Sequence, residues 1–131
     1  MAAEQGSDRM IALGERLLAA NQDLITAVVE ALKGFGGASP PVAAEEARPW
    51  EERVLPLLRR DLAKLGDALA RLRGGDSGPL VHLAEYQMGL GKHLDFGFEW
   101  MPDATRRRVD DLILGVTRAA RAVAEVSTTR T

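Results

Sequence analysis

Residues 50–73 read WEERVLPLLRRDLAKLGDALARLR, and this stretch decides the fold class. Its apolar side chains Trp50, Val54, Leu58, Leu62, Leu65, Leu69 and Leu72 recur at spacings of three and four. That is the repeat of one face of an α-helix, and the alternation in twos that a half-buried strand requires is missing. Pro49 suits a first helical position. Pro56 does not suit an interior one, because it has no N–H and its ring meets the preceding turn. The helix therefore kinks at Pro56, or Trp50 to Leu55 form a separate turn before it. Gly74, Gly75 and Gly78 end the segment in a tight reversal.

The same period continues on both sides. Upstream, a helix is predicted over about 8–35, with Ser7 and Asp8 as cap and first-turn acid. Met10, Leu13, Leu17, Leu24, Val28, Leu32 and Phe35 form its apolar face, and Gly34, Gly36 and Gly37 stop it. Residues 36–48, opening with Gly36, Gly37, Ser39, Pro40 and Pro41, read as an exposed loop in which Pro-Pro starts at most one short turn. Downstream, a third helix is predicted over 79–100, ended by Pro102. A fourth follows over 103–126, opened by Asp103, with Val109, Leu112, Ile113, Val116, Ala120 and Val123 on one face; Ser127 to Thr131 read as a fraying end. Short links make helices two, three and four antiparallel neighbours. The expected architecture is all-α: a single-domain, four-helix bundle, up-and-down, with a long loop between helices 1 and 2.

At 131 residues the chain has the size of one domain and can bury roughly two-thirds of its unfolded surface without a disulfide or a metal. It has no cysteine, which removes thiolate chemistry and fits a reducing compartment. The net charge is -2 with both signs interspersed, so bulk electrostatics indicate neither nucleic acid nor an anionic membrane. No apolar run approaches the ~20 residues of a membrane span, and the N-terminus has no secretory pattern. A cytoplasmic location is expected. Arginine outnumbers lysine 14 to 3 and alanine is abundant, as in proteins of GC-rich bacterial genomes.

The third segment is unusual. Four of the six aromatic residues and both histidines fall between His82 and Trp100. Placed at about 100° per residue on one continuous helix, Leu80, Leu83, Leu90, Leu94, Phe98 and Met101 make a core face. A quarter-turn away, His82, Tyr86, Gly89, His93, Phe96 and Trp100 make a second stripe. Either this helix is central and packs on two neighbours, or the second stripe meets a partner. The function expected first is a non-enzymatic interaction module that self-associates or docks a protein partner through that stripe. The alternative is a bundle that binds or acts on a small apolar molecule in an inter-helix pocket, with His82, Tyr86 and His93 as polar contacts.

Other motifs point away from specific chemistry. Residues 87–92, QMGLGK, resemble the ATP-binding motif of Swi/Snf-type helicases. A phosphate loop also needs a glycine where Tyr86 stands and a hydroxyl where His93 stands, on a strand-loop-helix that is not predicted here. His82 and His93 share a face but lie three turns, about 16 Å, apart, too far for one ion. No metal, no cofactor and no catalytic residue is therefore assigned. Arg106, Arg107 and Arg108 point in different directions around a helix, and Arg107 stands four residues before Asp111, so a solvated, ion-paired face is expected rather than a nucleic-acid contact.

Overall fold

The computed structural model describes residues 2–34, 41–94 and 99–129, and the protein is all-α, with no strand among these residues. Helix α1 spans Ala2–Gly34, α2 Pro41–Pro49, α3 Leu55–Arg73, α4 Gly78–Gln87, α5 Leu90–His93 and α6 Asp103–Thr129; a π-helical turn, Trp50–Val54, joins α2 to α3. No helix among the described residues is long and apolar enough to cross a membrane. Helix α1 packs on α6 and α3, and α4 packs on α3 and α6, so the four close a ring of contacts. Inside it lie Leu17, Leu24, Leu58, Leu65, Leu80, Leu90, Val109 and Val116, all fully buried.

Helices α1, α3 and α6 face inward along the stripes that their spacing predicts, with three additions on α1 and α3. On α1 the buried positions include Met10, Gly14, Leu17, Asn21, Leu24 and Val28, alternating by four and three, with Ala27 beside them. On α3 they include Val54 of the preceding turn, then Leu58, Asp61, Leu65, Ala68 and Leu72 in the same alternation. A glycine and two polar residues therefore hold core positions. Gly14 marks a close approach: a methyl group there would lie 2.6 Å from Leu69 Cδ2 and 3.0 Å from Leu80 Cδ2. A Cβ at this level would have to displace the Leu69 side chain, and glycine spares that shift.

Several boundaries differ from the sequence expectation. Helix α1 begins ahead of Ser7 and Asp8, because Ala2, Ala3, Glu4 and Gln5 are strong helix formers that extend it. Of the expected 36–48 loop, residues 36–40 lie outside the described residues, as does Phe35, but Pro41–Pro49 is helical. Pro41 opens α2, where a missing N–H is harmless, while Pro49 closes it rather than starting the next helix. Pro56 is accommodated by the separate turn. The Leu55 N–H bonds back five residues to the Trp50 carbonyl, and this widened turn receives the proline ring at the start of α3. After α3 the chain reverses through paired bonds, Gly75 N–H to Leu72 O at 2.9 Å and Asp76 N–H to Arg71 O at 2.9 Å. Gly75 takes the left-handed conformation this closure needs, φ +100°.

The expected continuous helix over 79–100 is broken. Helix α4 ends at Gln87, Met88 and Gly89 form a turn, and α5 is a single turn. Gly89 N–H bonds to Tyr86 O at 3.2 Å and Lys92 N–H to Gly89 O at 3.0 Å, the three-residue bonds of a tightened backbone. Gly89 and Gly91 each weaken a helix by about 1 kcal/mol relative to alanine, which concentrates the break here. Residues 95–98 lie outside the described residues.

Candidate functional site

A polar layer crosses the core at the middle of the ring. Asn21 of α1 and Gln87 of α4 are fully buried and exchange two hydrogen bonds: Asn21 Nδ2 donates to Gln87 Oε1 at 3.0 Å, and Gln87 Nε2 donates to Asn21 Oδ1 at 2.9 Å. Asn21 Nδ2 also donates to the Leu17 carbonyl at 2.8 Å. Asp61 of α3, 1% exposed, joins the layer through a hydrogen bond from Gln87. Buried amides are tolerated because each satisfies the other.

Asp61 is not fully satisfied. Its Oδ1 faces Arg60 Nη2 at 3.7 Å, while Oδ2 is buried and has no hydrogen-bond partner. Burial pushes the Asp61 carboxyl above the usual range, and the nearby Arg60, Lys64 and Gln87 counter that rise only in part.

Asp61 lies in the wall of a groove of about 350 Å³ between α3 and α4. From α3 the lining comprises Arg60, Asp61, Lys64, Asp67, Ala68 and Arg71, and from α4 and its start Pro79, His82, Leu83 and Tyr86. The bases stand on one side of α3, at 60, 64 and 71, because these positions are one and two helical turns apart. Ala68 opens the groove: a larger side chain at this buried position would close the space between the helices. A second hollow, about 250 Å³, is lined by Val29, Leu32, Lys33, Glu51, Leu55 and Arg59. Its polar side chains are all exposed, so it has no buried group to select a ligand.

The predicted stripe is divided among different surroundings. His82 is exposed and Tyr86 half-buried, and both line the groove. His93, exposed at the end of α5, stacks on Tyr86 with ring centroids 4.8 Å apart and planes at 20°. Gly89 lies in the turn between them, and the helix break is what folds His93 back onto Tyr86. Trp100 is 6% exposed and meets Trp50 edge-on, centroids 6.2 Å apart at 62°. It belongs to the core and not to a surface shared with His82; the 100° rotation per residue that placed it there holds only along an unbroken helix. Phe96 lies outside the described residues. The Arg107–Asp111 ion pair expected from spacing is also not formed: both are exposed, and the ion pairs among the described residues are Arg60–Asp61 and Arg73–Glu15.

Asn21, Asp61 and Gln87 escape a sequence reading that seeks core positions among apolar residues. Their signal is positional. Asn21 stands between Leu17 and Leu24, and Asp61 between Leu58 and Leu65, on the buried spacing of each helix. No family model matches the chain, nor does any curated protein or solved structure.

Proposed function

We propose that the groove between α3 and α4 is a binding site for a small molecule, and that the protein is a ligand-binding four-helix bundle. The observation that carries this reading is the buried carboxyl of Asp61, with one oxygen unpartnered, in the lining of a groove whose apolar surface comes from Ala68, Leu83, Pro79 and the Tyr86 ring and whose other side chains are charged or polar. A few polar groups set into an apolar concavity are the usual makeup of a ligand site. The volume, near the lower end of the roughly 300–1,000 Å³ typical of such sites, suits a small molecule and not a peptide helix. Tyr86 is held by its stack on His93, and His82 stands at the rim as a further polar contact. Binding is favoured over catalysis because neither histidine is hydrogen-bonded to a carboxylate or nucleophile among the described residues.

Docking of a protein partner, or self-association, through the helix-three stripe receives less support. It required one continuous aromatic surface, and Trp100 is packed on Trp50 inside the fold.

Screening a fragment library against the full chain by amide chemical-shift mapping tests the proposal. Hits are expected to move the resonances of Asp61, Ala68, Leu83 and Tyr86 together. Hits scattered over other faces, with these four unmoved, contradict it.

A further inference from the structure

Resting on the reading of the groove as a binding site, we infer that His93 is a positioning residue of that site: from α5 it backs the ring of Tyr86 and fixes the orientation in which that ring meets a ligand.

The stack exists because the helix is broken. Tyr86 and His93 are seven residues apart, about two turns, and on a continuous helix they would share a face with their Cα atoms about 10 Å apart. Both side chains would lean toward the N-terminus and keep that separation. Their ring centroids are instead 4.8 Å apart with planes at 20°, which the turn at Met88 and Gly89 makes possible. Crowding does not account for the glycines of this turn. Among the described residues, a Cβ at Gly89 would meet Tyr86 O at 3.7 Å and one at Gly91 would meet Ile113 Cγ2 at 3.9 Å, both ordinary contacts. Gly89 has a negative φ of -102°, so a left-handed backbone does not account for it either. What both glycines contribute is low helix propensity, which keeps the break in place and His93 within reach of Tyr86.

The consequence falls on the groove. Tyr86 lines it and His93 does not, so the imidazole stands behind the ring and covers a face of it. The charged groups of the lining at Arg60, Lys64, Asp67 and Arg71 are exposed side chains, whereas Tyr86 is half-buried and held by a neighbour. Ordering a free side chain on binding lowers affinity, and a ring already fixed avoids that loss.

The chain has one tyrosine, so the tyrosine ring signals of a nuclear magnetic resonance spectrum belong to Tyr86. His93→Ala, at an exposed position, should leave the fold and the melting temperature close to those of the unaltered protein. It should shift the Tyr86 ring signals and, through the altered ring current, the methyl signals of Leu83 one turn away. His93→Phe, which keeps a ring behind Tyr86, should return both sets toward their original positions. Fragments that shift mapping places in the groove should bind His93→Ala about two- to tenfold more weakly, the worth of one aromatic pair, and His93→Phe almost as tightly as the unaltered protein. Unmoved Tyr86 and Leu83 signals in His93→Ala overturn the positioning role. Groove-bound fragments that bind His93→Ala with undiminished affinity overturn it too, and leave the groove standing as a site. If no fragment reaches the groove, the binding reading falls and the role of His93 in it falls with it.

Discussion

Trp100→Glu is expected to leave little or no folded protein at neutral pH. Trp100 is 6% exposed and packs edge-on against Trp50, which is fully buried in the π-helical turn. Truncating a buried tryptophan alone costs about 3–5 kcal/mol. Glutamate adds a carboxylate at a buried position, and burying a charge costs more than losing the contact. Against a total stability of about 5–15 kcal/mol, the sum reaches the unfolding threshold. Far-ultraviolet circular dichroism with urea titration reads the outcome. Trp100→Phe, which keeps an aromatic ring against Trp50, should lose far less. A Trp100→Glu protein that folds normally but changes its association state would return this residue to a surface and restore the docking stripe.

The second large effect concerns the amide pair. Asn21→Leu leaves both polar atoms of the Gln87 amide without their α1 partners in a fully buried position, at a cost of about 2–3 kcal/mol. Gln87→Leu strands Asn21 and also withdraws the hydrogen bond from Asp61, so it should cost at least as much. The double variant Asn21→Leu/Gln87→Leu leaves only Asp61 short of a donor. It should therefore be less destabilised than the two single changes summed, with a coupling of about 1–3 kcal/mol in a urea-denaturation cycle. Additive losses would mean that the two amides do not act as a unit.

How far the sequence reaches is clear from particular residues. The period of three and four places Met10, Leu17, Leu24 and Val28 on one face of α1, and all four are buried. It does the same for Leu58, Leu65, Leu69 and Leu72 on α3 and for Val109, Val116, Ala120 and Val123 on α6. These positions are legible because burial of apolar area dominates folding and repeats with the helix. Gly14, Asn21 and Asp61 share the same spacing but have no apolar side chain to announce it. What they do depends on partners from other helices: Leu69 and Leu80 for Gly14, Gln87 for the other two. Those pairings follow from tertiary packing, which spacing along one segment does not contain.

The candidate site is half legible. His82 and Tyr86 stand out in the sequence and do share the groove, and His93 reaches Tyr86, though by a route that helical spacing does not contain. Extending one helical wheel from Leu80 to Trp100 ignores the combined cost of Gly89 and Gly91. The break between them turns the predicted stripe into a groove wall, a ring stack and a core contact. Pro56 is more legible, because the chemistry of a missing N–H leaves few solutions. The separate turn before the helix is one of the two that its sequence context allows.

The central claim is that Asp61 is held in the groove for a ligand and at the expense of the fold. Equilibrium unfolding of the protein and its Asp61→Asn variant across pH tests it most directly. Since burial raises the folded-state pKa of Asp61 above its unfolded value, protonation favours the folded state. The unaltered protein should lose stability relative to Asp61→Asn as pH rises from about 4, the unfolded value, and reach a constant deficit once the folded-state pKa is passed. A neutral amide at this position carries no such burden, so the variant is predicted to be the more stable protein at neutral pH and the difference to shrink in acid. A variant less stable than the unaltered protein at neutral pH would show that the carboxylate serves the polar layer, and the groove would lose the feature that marks it as a site.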